Sequence, residues 1–428
     1  MSERLLNGFC FASTLRSLAH SFFRSLPMNR RNFLKQSALT TTGTMLIPHF
    51  LKAYEAQMLG QTVESNGKIL VVVQLSGGND GLNTVVPYRN DIYYRERPTI
   101  AIKSDKVLTL NDEIGLHPAM TPLKALYDEG LVTVINNVGY PNPDRSHFRS
   151  MDIWQSASDA NSYLQTGWVG RYLDAACAGK AQQPFRTIEV DDTLSLAMKG
   201  HTLNGLAVLD PKKLYNQTQN GLVNGLAKAQ PSTEHESVAY LYKTLAETVS
   251  SAAYVYDKTK IHNTSVTYPS HELGNRLKTV SQLIQSGVAT SVYYVSISGF
   301  DTHINQLGQQ ERLLKEYAEA VGAFMTDLKA VGRQNDVLLM TFSEFGRRVK
   351  QNASNGTDHG TANNVFLIGG GLPAKRVLNE APNLTKLTDG DLTYSVDFRQ
   401  IYATLLHDYL GADDVAILGR KFDGVKIA

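Results

Sequence analysis

Short, almost uninterrupted runs of apolar residues recur along this chain, and they limit its possible folds more than any other feature. The first run, Lys68 to Leu75, reads KILVVVQL, and four similar runs follow at residues 131–138, 291–298, 336–342 and 364–368. Such runs are typical of strands that are buried on both faces of a sheet. Amphipathic helical patterns lie between them, at residues 121–129, 309–331 and 396–410. This alternation predicts an α/β fold, a three-layer α/β/α sandwich around a mostly parallel sheet.

The middle of the chain lacks this alternation. Two long helical patterns, at 232–260 and 270–287, have no apolar run between them. Two short candidate edge strands, at 186–190 and 206–209, precede them. We therefore interpret about 150–290 as a helical insertion that could cap a functional site, within a main domain that covers 66–428.

The N-terminal segment resembles a twin-arginine export signal. Met28 is followed by Arg30-Arg31-Asn-Phe33-Leu34-Lys35 and then by a weakly apolar, Thr-rich run. The resemblance implies a signal peptide at 28–56 and a periplasmic or extracellular protein. Because the signal carries its own Met, we interpret 1–27 as an upstream extension of the reading frame. The alternative is a basic amphipathic helix, and the run is too short and interrupted to predict a transmembrane anchor.

Charge and cysteine content narrow the functional classes. The 428 residues contain 42 Lys+Arg and 40 Asp+Glu, a formal net charge of +2. This balance gives no basis for predicting a nucleic-acid partner. The chain has only two cysteines, Cys10 and Cys177, which exclude a disulfide framework or a cysteine metal cluster. Any metal must be bound by His, Asp, Glu and hydroxyl oxygens.

Polar residues cluster where the predicted strands end. They are Asp80 after the first run, Arg145, Ser146 and His147 after the second, Asp301 and His303 after the third, Glu344 and Arg347 after the fourth, and Asp358 and His359 just before the fifth. In open parallel sheets, ligands bind at the carboxyl ends of the strands. Carboxylates and imidazoles without thiolates suit Zn²⁺, Mn²⁺, Mg²⁺ or Ca²⁺. The pattern predicts a centre for one or two divalent metal ions.

The order of these motifs resembles the alkaline phosphatase superfamily, which includes phosphatases and sulfatases. More narrowly, five motifs together resemble an uncharacterised bacterial family, domain of unknown function 1501, from about Lys68 to the C-terminus. These motifs are Gly-Gly-Asn-Asp-Gly at 77–81, Arg-Ser-His-Phe at 145–148, Phe-Asp-Thr-His at 300–303, Ser-Glu-Phe-Gly-Arg at 343–347 and Asp-His-Gly at 358–360. The resemblance implies an alkaline phosphatase-like fold. The Cys/Ser-x-Pro-x-Arg signature of conventional sulfatases is absent from the sequence.

The superfamily resemblance also implies roles for individual residues. Ser146 matches the nucleophile, at a helix start where the dipole favours anions. Asp80 matches a ligand of the first metal. Asp301 and His359 match ligands of the second metal, with His303 as a further ligand although its spacing from Asp301 departs from the superfamily pattern.

Glu344 matches the acid of an Asp-His pair, whose histidine is replaced here by Phe345. His147 or His117 is the candidate to replace that lost ligand, and Asp358 is a further candidate. Arg145 and Arg347 are candidates for binding a phosphate bidentately. Simpler interpretations stay open: Asp80 as a turn residue, Ser146 as a helix cap, and Glu344 with Arg347 as an ion pair.

The sequence therefore predicts an exported, metal-dependent hydrolase or transferase that acts on phosphate or sulfate esters. A Ser146 nucleophile would act on a small-molecule or glycan substrate. The alternative is a non-catalytic periplasmic protein of the same fold, which binds metal and acts in binding or assembly. Phe345 favours that alternative, and fold resemblance alone does not establish chemistry.

Overall fold

A computed structural model describes residues 66–427, apart from residues 181, 229–235, 261–263 and 372–375. The predicted signal at 28–56 and the predicted extension at 1–27 lie outside the described residues. No helix in the described part of the chain is long and apolar enough to cross a membrane.

The strands form one large sheet and two small ones. In chain order they are β1 (Ile69–Ser76), β2 (Val85–Val86), β3 (Leu108–Thr109), β4 (Gly115–Leu116), β5 (Val132–Gly139), β6 (Thr187–Glu189), β7 (Leu206–Ala207), β8 (Val292–Ser298), β9 (Val337–Phe342), β10 (Asn363–Gly369), β11 (Arg376–Val377), β12 (Leu387–Thr388), β13 (Asp391–Leu392) and β14 (Val396–Asp397). The large sheet has the order β11-β5-β10-β9-β1-β8-β6-β7, with β14 beside β5. All five strands predicted from apolar runs are confirmed.

Helices connect most of the strands. They are α1 (Gly81–Thr84), α2 (Asp91–Glu96), α3 (Thr121–Asp128), α4 (His147–Ser156), α5 (Trp168–Ala176), α6 (Pro211–Thr218), α7 (Gly221–Lys228), α8 (Glu236–Thr259), α9 (Glu272–Gln285), α10 (Gln306–Ala330), α11 (Phe398–Thr404) and α12 (Asp414–Leu418). The helix predicted at 396–410 begins later, because Asp397 is its N-cap and forms a capping box with Gln400.

One central strand runs against the others. β1 pairs in parallel with β8 and β9, whereas β10 is antiparallel to both β9 and β5. The connection from β9 to β10 contains no helix, whereas a crossover between parallel strands usually contains one. As a result, residues that precede β10 lie at the same edge as residues that follow β1, β5, β8 and β9.

Helices cover both faces of the sheet, so the predicted α/β sandwich is confirmed. On one face, Leu70 and Val72 belong to a buried cluster with Trp154 of α4. The Trp154 ring stacks on Phe342 and Phe398 at centroid distances of 4.7 and 4.3 Å. This packing fixes α4 directly behind the polar edge. The opposite face is covered by α10, whose buried side is largely apolar.

The middle of the chain contributes to the sheet as well as to the helical layer. β6 and β7, close to the two predicted edge strands, extend the sheet beyond β8 in parallel. The long helices α8 and α9 follow, as the helical patterns predict. That this stretch caps the site stays a prediction.

Candidate metal and active site

Two glycines at the end of β1 bring three loops together. Gly77 and Gly78 have φ values of +119° and +71°. A Cβ atom on Gly77 would lie 2.4 Å from the amide nitrogen of Asp301, and one on Gly78 would lie 2.2 Å from the Phe345 ring. Only glycine permits both this backbone conformation and this close approach. The loops after β1, β8 and β9 therefore meet at one point.

Three histidines and one aspartate converge beside these loops. Asp301 Oδ1 lies 2.9 Å from His303 Nε2 and 3.4 Å from the Nε2 atoms of both His147 and His359. The Nε2 atoms of His303 and His359 are 2.9 Å apart. Ligand atoms of a tetrahedral ion with bonds near 2.0–2.1 Å are about 3.3 Å from one another. Asp301, His147 and His359 thus have nearly the spacing of a metal coordination shell, and His303 lies against two of them.

Each histidine has its other ring nitrogen beside an oxygen. His147 Nδ1 lies 2.9 Å from Glu344 Oε1, and His359 Nδ1 lies 2.7 Å from the Arg145 carbonyl oxygen. His303 Nδ1 is 3.5 Å from Asp358 Oδ1. Such oxygens select the tautomer that leaves Nε2 free to bind metal.

His147 Nε2 gives the clearest test of whether a cation fits. This atom is buried and has no hydrogen-bond partner among the described residues. An unpaired buried nitrogen is costly unless something binds it. Nitrogen and carboxylate donors of this kind suit Zn²⁺ or Mn²⁺ better than Ca²⁺, which prefers oxygen. The side chains present therefore fit a divalent ion.

The electrostatics of the group favour a carboxylate that stays ionised. Burial alone raises the pKa of Asp301, but the hydrogen bond and charge of Arg347, with His303 and His147, lower it to about 2. The hydrogen bond to Glu344 raises the pKa of His147 against the effect of burial. Burial lowers the pKa of His359.

Glu344, predicted as a ligand, faces away from the centre. Its side chain is fully buried, with Oε1 accepting from the Gly77 amide at 2.8 Å and Oε2 accepting from the Ser343 hydroxyl at 3.2 Å. Its remaining contact is with His147. Glu344 therefore contacts the ring nitrogen of His147 that is not the one near Asp301.

Asp80, predicted as a ligand of the first metal, lies in a buried ion pair. Arg97 donates to both of its oxygens, at 2.6 and 3.0 Å, and Gln306 donates to Oδ2 at 2.5 Å. The Leu82 amide donates to Oδ1 at 3.2 Å. Both side chains of the Asp80–Arg97 pair are completely buried. The Arg97 guanidinium thus lies against both oxygens of Asp80, and nothing around Arg97 in the sequence signals this contact.

Arg347, predicted to bind phosphate, is buried, and its guanidinium forms hydrogen bonds with other groups of the protein. Its guanidinium donates to the carbonyl oxygens of Gly77, Gly78, Phe300 and Thr357, at 2.5 to 3.1 Å. It also donates to Asp301 at 2.7 Å. Arg347 therefore joins the loops of the site and contacts Asp301, and its binding of a phosphate stays a prediction.

Ser146 is exposed at the N-cap of α4, next to His147. Its side chain makes no capping hydrogen bond, although its amide donates to Asp144 Oδ1 at 2.7 Å. Arg145, the other predicted phosphate-binding residue, is partly exposed and paired with Asp391. The Ser146 hydroxyl is thus exposed and makes no capping bond, one residue before His147.

His117 and Asp358 lie outside the converging group, whereas Phe345 packs against it. His117 is buried and caps the turn Pro118–Met120, and burial lowers its pKa to about 4. It does not belong to the converging group. Asp358 lies outside the group, where it accepts from Asn352 and approaches the outer nitrogen of His303. Phe345 is buried between two ligands, with ring centroids 4.9 Å from His147 and 4.8 Å from His359.

Comparison with known proteins gives one family and several distant structures. The family described as "Protein of unknown function (DUF1501)" matches residues 67–423. No curated protein matches the sequence. The Zn complex of the C-terminal periplasmic domain of EcEptC from Escherichia coli is 12% identical, with a TM-score of 0.35 over 73% of this chain and 75% of that chain. The PsFucS1 sulfatase from Pseudoalteromonas sp. is 12% identical, with a TM-score of 0.39 over 89% and 75%. A protein in the alkaline phosphatase superfamily from Vibrio parahaemolyticus is 12% identical, with a TM-score of 0.31 over 82% and 69%.

Proposed function

The chain belongs to the DUF1501 family. We propose that it is a metal-dependent hydrolase or transferase of phosphate or sulfate esters. The observation that carries the proposal is the group formed by Asp301, His147 and His359, with His303 against it and the exposed Ser146 next to His147 in the chain. A bound divalent ion would supply positive charge for a transferring oxyanion and lower the pKa of a nearby hydroxyl.

Residues of the chain would supply the nucleophile, bind the anionic group and position Asp301. Ser146 Oγ would form a bond to phosphorus or sulfur as the bond to the ester oxygen breaks, and the proton released from the Ser146 hydroxyl would pass through water to the departing oxygen. Water, or a second alcohol in a transferase, would then release the group from Ser146. The first amides of α4 have no intrahelical acceptors, so they are available to the anionic group. Arg347 would keep Asp301 ionised and in place.

A second candidate function is non-catalytic metal binding. Its support is the burial of Asp80 against Arg97, which leaves one converging group of metal-type ligands among the described residues. Superfamily resemblance implies two metals, and Phe345 replaces one of the expected ligands. A protein with this centre alone could bind a metal or an anion without turnover.

Metal analysis followed by an ester panel tests both functions. The purified full chain should contain about one divalent ion, and His359→Ala should lose it, whereas the control His201→Ala, which changes an exposed histidine, should retain it. Phosphate and sulfate esters would then be assayed with Zn²⁺, Mn²⁺, Mg²⁺ and Ca²⁺. Metal binding without hydrolysis of any ester favours the non-catalytic function. Failure to bind any of these ions contradicts both.

We also propose export by the twin-arginine route, supported by the motif at Arg30-Arg31 and Phe33. Replacing both arginines with Lys should retain the precursor in the cytoplasm, as seen by cell fractionation. A chain starting at Met28 should export as well as the full reading frame. If deletion of 1–27 abolishes export, the proposed start and the 28–56 signal are wrong.

A further inference from the structure

An open depression adjoins the metal-ligand group on one side. His303 and His359 line it together with Arg348, Lys350, Gln351 and Asp358, and its volume is about 530 Å³. Two ligands and two cationic side chains thus face a single space. A substrate held at the centre would extend some of its atoms into this depression.

The positive charge of this depression is only partly neutralised. Lys350 is exposed and has no ion pair or hydrogen bond among the described residues. Arg348 Nε lies 3.8 Å from Asp391 Oδ1, but Arg145 binds the other oxygen of the same carboxylate. One buried carboxylate therefore faces two guanidinium groups, which leaves one positive charge in excess.

Of the other two polar side chains, Gln351 is neutral and Asp358 offsets one of the two positive charges, so one positive charge remains. Asp358 is the one carboxylate that lines the depression, and it already accepts from Asn352 at 3.1 Å and lies 3.5 Å from His303 Nδ1. Gln351 Oε1 accepts from Thr99, so its amide is oriented by that contact. Gln351 Nε2 has no hydrogen-bond partner among the described residues and can donate into the depression.

We propose that Arg348 and Lys350 bind a second anionic group on the alcohol portion of the substrate. This proposal rests on the function proposed above and narrows it. The substrate class is a phosphate or sulfate ester whose alcohol carries a carboxylate, or another phosphate or sulfate. Opposite charges attract across a partly exposed surface, and the attraction weakens as salt increases. Neutral alcohols gain nothing from this contact.

Paired esters that differ in one charge provide the test. Glycerol 3-phosphate and 3-phosphoglycerate are suitable probes, because the second has a carboxylate where the first has a hydroxymethyl group. Their dissociation constants would be measured by calorimetry on the metal-loaded full chain carrying Ser146→Ala, which prevents turnover. The same measurement would follow in Arg348→Gln and Lys350→Gln backgrounds. Lys315→Gln is the matched control, because this exposed lysine lies on α10 outside the depression.

We expect 3-phosphoglycerate to bind more tightly, and we expect each substitution to reduce the preference about fivefold. The control should leave the preference unchanged, and added salt should reduce it. Equal binding of the two probes, no binding of either, or a preference that survives both substitutions overturns the proposal. Preferential binding with no hydrolysis of either ester by the wild-type protein supports the anionic contact and contradicts the proposed catalytic function.

Discussion

The buried Asp80–Arg97 pair leads to a prediction that separates a structural role from a metal-binding one. Arg97→Met would remove the guanidinium while keeping most of the side-chain volume. It would eliminate the two bonds to Asp80 and those to Asn83, Val349 and Arg348. Asp80 would remain buried with only Gln306 and one amide as donors. Removing one partner of a buried pair costs about 3–5 kcal/mol, and the additional lost bonds favour the upper part of that range.

The assay is chemical denaturation followed by circular dichroism, combined with metal analysis of each variant. Asp80→Asn should lower the free energy of unfolding by a similar amount, because it leaves the guanidinium buried without a counter-charge. The double variant should be more stable than the sum of the two single losses implies. Each folded variant should bind as much metal as the wild-type protein, since Asp80 is not among the converging ligands.

The opposite result would refute this reasoning. If Asp80→Asn empties the metal centre while the free energy of unfolding changes by less than about 1 kcal/mol, Asp80 is a ligand. The ion pair with Arg97 would then not describe the metal-bound protein. His359→Ala is the reference for metal loss in this comparison.

Three further predictions concern single side chains. Ser146→Ala should abolish ester turnover while unfolding free energy changes by less than about 0.5 kcal/mol, because no capping bond is lost; a loss near 1 kcal/mol without any wild-type activity would make Ser146 a cap. Glu344→Gln should weaken metal affinity roughly 10–100-fold in competition with a chelator, and unchanged affinity would contradict its orienting role. Burial raises the pKa of Glu189 from 4.5 to about 7, so the folded state holds its proton longer and loses stability as pH rises through this range. The free energy of unfolding of Glu189→Gln should therefore exceed that of the wild-type protein by up to about 3 kcal/mol near about pH 8. Near about pH 4 the two proteins should be equally stable, and a difference that is independent of pH would contradict this.

The sequence predicts the sheet well because burial on both faces leaves an unmistakable apolar run. It cannot give the direction of a strand, since an apolar run reads the same either way. The antiparallel direction of β10 therefore emerges only from the structure. That direction is also why His359, which comes before its strand, reaches the same edge as Asp301, which follows one.

In the candidate site, the sequence likewise predicts the positions of some residues and not the contacts of others. Asp301, His303 and His359 come together as expected because short loops tie them to strand ends. Asp80 follows a strand in the same way, but its partner Arg97 comes from a different loop whose position no local pattern reveals. Arg347 has a long side chain, and its burial depends on carbonyl groups from several loops. Both outcomes depend on tertiary contacts rather than on local sequence.

Arg347 has a further consequence for the motions of the site. Its single guanidinium holds carbonyl oxygens of Gly77, Gly78, Phe300 and Thr357, which belong to three separate connections. No one of these connections can open without depriving the buried cation of an acceptor. The loops are therefore expected to open together, with one shared free energy of opening. Their amide hydrogens should exchange with solvent as slowly as those of the neighbouring strands. Irregular backbone at this edge thus behaves as part of the cooperative unit formed by the sheet.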